Sequence, residues 1–319
     1  MRRLELNPDD SSNVISAISS SIQSTQLNES IKKTGFKALQ DGLPLLGHYF
    51  RDEKIREYIL TQTLLAFKHS SDSIILQSLQ CLRDTLRYCY PHISQVHMKV
   101  ILENALPLAK KKFPSITIAV LEFIDSVARL EKKLTVKREL EGSAVIHGFT
   151  DTFAGMMVTL PLELLLENDT EEFESGLSIH SACVTVLTSI NELAFVAVRD
   201  LTIDYISKAI EPDQELSKQA ALRAFEAAIL GANVDISDLV EQSSKNIVRL
   251  LVYSPTICKA SLSVMEAIAE RYPFTLIQDN ICVDWLEIAV KIMQEDPGLG
   301  RFVTQVFYSK QSSESRARN

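Results

Sequence analysis

The sequence predicts an all-α chain, a right-handed α-solenoid of about seven antiparallel helix pairs. Three observations carry this. First, a helix-start residue followed by an apolar stripe recurs near Asn28, Asp72, Pro114, Gly176, Asp213, Pro255 and Asp296, at steps of 44, 42, 62, 37, 42 and 41 residues. Second, the apolar residues after each start fall at i, i+3, i+4 and i+7, as in Ile75, Leu79, Leu82 and Leu86, which puts them on one helix face. Third, strand signals are missing: there is no long alternating run, and Asp41-Gly42 lies inside a helical pattern. A period of about 42 residues with two helices per period is that of HEAT and armadillo repeats, whose units touch only their neighbours.

Each unit can be drawn in order. The first covers about 10–47, with Asn28 capping its second helix. The second covers 51–90; Ser70-Ser71-Asp72 breaks its helices, and Asp72 is the expected cap. The third covers 94–131, and Phe113-Pro114 is its turn, with proline at the first helical position. The fourth, 144–195, carries an insertion. The fifth, 196–231, closes on Gly231 as a C-cap glycine. The sixth, 234–272, opens its second helix at Pro255, and the seventh spans 274–308. Residues 309–319 read as a disordered polar tail. Gly35, Ala220 and Ser261 fall at equivalent points where neighbouring helices approach closely. The first and last units lack a polar outer face, which points to a piece of a longer array or a shortened relative of one.

A repeat array has an extended face for holding proteins and no central pocket for chemistry. The composition agrees. Apolar residues make up 46%, ample for a continuous core, and the net charge of −8 argues against a nucleic-acid surface and favours basic partners. No secretory signal and no membrane-spanning apolar run is read, so no membrane insertion is expected. Cys81, Cys89, Cys183, Cys258 and Cys282 are scattered on predicted helices and read as reduced core thiols. The six histidines are dispersed, and no phosphate loop, dinucleotide fingerprint or nucleophile elbow occurs. The expectation is therefore a protein with no catalytic, cofactor or metal site, not an enzyme.

Two charge runs stand out. Lys110-Lys111-Lys112 closes the first helix of the third unit, where cations offset the helix dipole; recognition of an acidic partner is its sharper reading. The insertion of the fourth unit reads Glu167-Asn168-Asp169-Thr170-Glu171-Glu172-Phe173-Glu174. It is either a solvated acidic loop or an arm for a basic partner. Apolar residues of the first helices, Ile15, Ile18, Ile59 and Leu60, have two readings also. They are core, or they line shallow grooves that accept single aromatic side chains.

The run Lys208–Ala232, KAIEPDQELSKQAALRAFEAAILGA, resembles a HEAT repeat of the importin-beta family. Pro212-Asp213, Ala221, Ala224-Phe225, Ile229-Leu230 and Gly231 follow that pattern in order. Ser71-Asp72 and Ile75 match an earlier unit, and the acidic insertion falls where the family carries its acidic loop. The similarity covers about residues 10–308. Gln214 and Lys218 depart from it, standing where the family has an aromatic and an arginine. The acidic loop is shorter than usual and lacks the tryptophan that follows it. The resemblance implies a nuclear transport receptor acting in cytoplasm, nucleus and nuclear pore. Its implied partners are Ran GTPase, an Arg/Lys-rich cargo or importin-alpha-like adaptor, and Phe-Gly nucleoporins. By position, Glu167, Asp169, Glu171, Glu172 and Glu174 would be acidic-loop contacts, and Ile15, Ile18, Ile59 and Leu60 would line Phe-Gly grooves. The alternative is a HEAT scaffold or adaptor subunit of another complex.

Overall fold

The computed structural model describes residues 28–111, 113–142, 144–167, 178–211 and 214–273, with scattered residues within 16–22 and 283–291. Every regular element among the described residues is helical. The α-helices whose bounds lie among the described residues are, in order, α1 Glu29–Leu46, α2 Glu53–Ala66, α3 Asp72–Cys89, α4 Gln95–Lys111, α5 Pro114–Glu141, α6 Phe149–Thr152, α7 Ala154–Glu167, α8 Ile179–Ile210, α9 Glu215–Gly231, α10 Ser237–Leu250 and α11 Pro255–Arg271. The chain forms two compact units, 1–160 and 161–319, with the division inside α7.

Helix starts follow local chemistry. Asn28 Oδ1 accepts from the Ser30 amide at 3.3 Å, and Asp52 Oδ1 caps α2 through Lys54 N at 2.8 Å. Pro114 and Pro255 each occupy the first turn, behind Phe113 and Ser254. The cap of α3 is Ser71, one residue before the expected Asp72, which instead places its carboxylate in the first turn. Asp213, expected to open the next helix, is outside the described residues, and Gln214 precedes α9.

Unit 1 stacks the second helices α1, α3 and α5 side by side, with α2 and α4 packed behind α3 and α5. Its core includes Phe36, Leu43, Phe50, Ile74 and Cys81. In the second unit α9 packs between α8 and α11, and α10 lies against α11. The core there runs from Phe195 through Phe225 and Ile229 to Ile257 and Ile268. Polar contacts repeat with the same period as the sequence. Glu29 accepts from the hydroxyls of Ser71 and Ser73, Arg83 pairs with Glu122, Tyr90 donates to Glu131, and Ser254 donates to Glu215. Each pair joins residues 39 to 44 apart, so one unit is tied to the equivalent place on the next.

Two expectations are corrected. The third unit does not end near Glu131, because α5 runs on to Glu141 and stops at Gly142, whose φ of 70° favours glycine. Beside the expected boundary between 195 and 196, α8 is kinked: two helical stretches join at Ala194, which takes the non-helical φ −130°, ψ 25°. No proline or glycine marks the bend, and Asn233 donates to the Leu193 carbonyl beside it at 3.4 Å. Length and composition also make α8 apolar enough to cross a membrane, contrary to the sequence reading. Its buried residues, Cys183, Val186, Leu187 and Ile190 among them, belong to the face packed within its own unit.

Cys81, Cys89, Cys183 and Cys258 are free and buried; Cys282 is outside the described residues. Burial pushes the thiols of Cys81 and Cys89 from the ordinary 9.0 up to about 12. A raised folded-state pKa adds stability that is complete below pH 9.0 and is lost as pH climbs toward about 12. The urea midpoint of unit 1 is therefore expected to fall between those pH values, and Cys81→Ser with Cys89→Ser should flatten that fall. In a Cys282→Ser chain no thiol should react with a disulfide reagent at neutral pH until urea is added.

Candidate binding face on the second helices

Among the described residues, two of the grooves are lined by second helices. In unit 1 a groove of about 580 Å³ lies between α3 and α5. Arg83 Nη1 meets Glu122 Oε2 at 3.2 Å across it, and Arg129 Nε meets Asp125 Oδ2 at 2.7 Å along α5. Gln40 donates to Asp84 from the neighbouring α1, which fixes that carboxylate's direction. Arg87 and Lys133 also line the groove. The Arg87 guanidinium lies 5.7 Å from the Tyr88 ring centroid, and neither residue is ion-paired among the described residues.

In the second unit a groove of about 520 Å³ is lined by residues of α8, α9 and α11. Arg223 Nη1 pairs with Glu226 Oε2 at 2.8 Å, and Lys259 and Gln219 line the same groove. Ser178 lines it as well; its Oγ accepts the Ser181 amide at 3.0 Å and caps α8. Close by, Glu266 is held above the usual carboxylate range by burial and by the charges of Glu226 and Glu270. Among the described residues no three metal-ligating side chains converge.

The predicted site residues lie elsewhere. Glu167 is the exposed last residue of α7; Asp169, Glu171, Glu172 and Glu174 are outside the described residues. Ile15 is outside them too, and Ile18 is half-buried against the unit 1 core. Ile59 and Leu60 are only 3% and 4% exposed, so their side chains take the core place that the sequence allowed beside the groove reading. The exposed apolar residue on α2 is Leu65. Sequence reasoning missed the cations of the unit 1 groove. Their signal is the i, i+4 spacing of Arg83 with Arg87 and of Arg129 with Lys133.

No protein-family profile matches this chain, and no curated protein matches it. Solved structures do. Kap95 in its complex with Nup1 superposes with a TM-score of 0.86 at 15% identity, over 95% of this chain and 36% of that one. Yeast importin-beta, Kap95p, gives a TM-score of 0.85 at 15% identity over 95% and 36%. A structure of Kap95p acting on RanGDP gives 0.86 at 14% identity over 93% and 35%. The chain has the importin-beta-like HEAT-repeat fold. It is thus an all-α solenoid, spanning about a third of the length of those importin-beta chains. At this identity the likeness is one of fold, and the importin-beta-like helix pairs account for the polar contacts that recur from one unit to the next.

Proposed function

We propose that the chain works as a nuclear transport receptor of the importin-beta type, or as a stretch of one, and does no covalent chemistry. The observation that supports this most is the fold match over 95% of the chain with importin-beta structures, one of them described with RanGDP and one with Nup1. In this reading Ran GTPase meets the acidic insertion through Glu167, Asp169, Glu171, Glu172 and Glu174. An Arg/Lys-rich cargo or importin-alpha-like adaptor is held on the second-helix face. Phe-Gly nucleoporins touch the first helices, where Leu65 is the exposed apolar side chain on α2. The chain then acts in cytoplasm and nucleus, including the pore.

Ran-GTP and a basic segment exclude one another in this mechanism. The test is a fluorescence titration of the full chain with a labelled Arg/Lys-rich peptide, repeated with Ran-GTP present. Displacement of the peptide is expected; simultaneous binding of both contradicts the mechanism. A second reading, a HEAT scaffold outside transport, draws on a specific observation. The unit 1 groove carries Arg83, Arg87, Arg129 and Lys133 against three carboxylates, which does not favour a basic ligand there. Retention on immobilised Phe-Gly repeats separates the readings, since a scaffold outside transport should pass through.

A further inference from the structure

The unit 1 groove does not end at its rim. On α5, Glu122, Ser126, Arg129 and Lys133 line it, and the same three-and-four spacing continues to Val136 and Leu140. Those two side chains are 48% and 81% exposed, on helix that has outrun the packed part of the repeat. Lys137 lies beside them and pairs with Glu141, one turn on, at 3.6 Å. The result is a continuous strip: a cationic groove, then an apolar ledge edged by lysine.

Ion pairs occupy three of the strip's carboxylates, and a fourth, Asp84, accepts from Gln40. Glu122 serves Arg83, Asp125 serves Arg129 and Glu141 serves Lys137. Arg87 and Lys133 are left over in one groove. Exposed charge with no ion-pair partner among the described residues, beside exposed aliphatic surface, suits a ligand that carries both opposite charge and apolar side chains. We propose that this strip docks an acidic protein segment with apolar side chains at helical spacing, its carboxylates on Arg87 and Lys133 and its apolar side on Val136 and Leu140. A peptide fits better than a nucleic acid. Asp84, Glu122 and Asp125 interrupt the cations and would repel a continuous phosphate backbone, whereas a peptide places its carboxylates singly. The proposal does not depend on Ran or on transport.

The test uses the full chain and fluorescence anisotropy. The probe is a fluorescein-labelled Glu/Leu peptide with leucines at i, i+3, i+4 and i+7. Binding that weakens with added salt is expected. Arg87→Glu with Lys133→Glu should weaken it about tenfold or more, since like charges then face the ligand. Leu140→Ser should weaken it as well, with less change in salt dependence. Both cations are exposed, so the helical circular dichroism should be unchanged; Arg87→Gln with Lys133→Gln is the second variant should the reversal disturb folding. Unchanged affinity in a folded double variant overturns the proposal. So does tighter binding of a Lys/Leu peptide, or of single-stranded DNA, than of the Glu/Leu peptide.

Discussion

Glu131→Ala is expected to lower the stability of unit 1 by about 3–4 kcal/mol, because three buried donors lose their acceptor at once. Glu131 is 2% exposed in the middle of α5. Its Oε1 accepts from the Phe149 amide at 2.7 Å and from the Tyr90 hydroxyl, and its Oε2 accepts from the Thr150 amide at 2.7 Å. Those amides belong to the first turn of α6, whose cap residue Gly148 has no side chain to satisfy them. Glu131 supplies the missing cap from another helix. Tyr90 completes the clasp: its oxygen accepts the His147 amide at 2.8 Å, and its ring meets Phe149 edge-on at 5.2 Å. Residues from three successive predicted units are held by one carboxylate.

Glu131→Gln keeps the shape and one acceptor, so a smaller loss of about 2 kcal/mol is expected. Tyr90→Phe should cost about 1 kcal/mol and couple with Glu131→Gln in a double-mutant cycle. Urea unfolding followed by circular dichroism reads all three. Stability unchanged in Glu131→Ala would show that the clasp contributes nothing.

The second large effect is at Gly231, where alanine should destabilise the second unit by about 2–3 kcal/mol. An added Cβ would lie 2.4 Å from the Thr188 carbonyl oxygen and 2.7 Å from Asn191 Cβ. Neither can step aside: one is backbone in α8, and the other is the first atom of a side chain that is 1% exposed. Trimming Asn191 to alanine leaves the clash in place. Gly35 makes a contrast, for its closest obstacle is the Ser21 hydroxyl, which can rotate. Gly155→Ala is the control. It is helical with nothing within 4 Å, so alanine should be neutral or stabilising by about 0.5 kcal/mol. In thermal melts Gly231→Ala should fall while Gly155→Ala stays level or rises; an equal fall in both contradicts the packing argument.

These two positions show what a linear reading can and cannot see. The helix starts at Asn28, Pro114 and Pro255 were legible because capping and proline chemistry act within three or four residues. The stripe Ile75, Leu79, Leu82, Leu86 was legible because its period is that of the helix, and all four are buried. Gly231 was read as a C-cap because glycine closes helices; in the structure α9 ends after it at Ala232, which has negative φ. Its reason lies on α8, far from it in sequence. Glu131 looked like the end of a repeat, and its role depends on a helix that starts 18 residues later. The groove cations were missed because a charged helix face reads as solvated until a neighbouring helix shows which charges are paired. The acidic insertion was legible as composition, and what it does rests on experiment.

The transport reading is tested most directly by titrating the purified chain against Ran loaded with GTP and, separately, with GDP. Preferential binding of the GTP form is predicted, weakened when Glu171, Glu172 and Glu174 are changed together to Gln. Absence of binding to either form, or binding that ignores the nucleotide and the three glutamates, would contradict it and leave a HEAT scaffold outside transport as the better account.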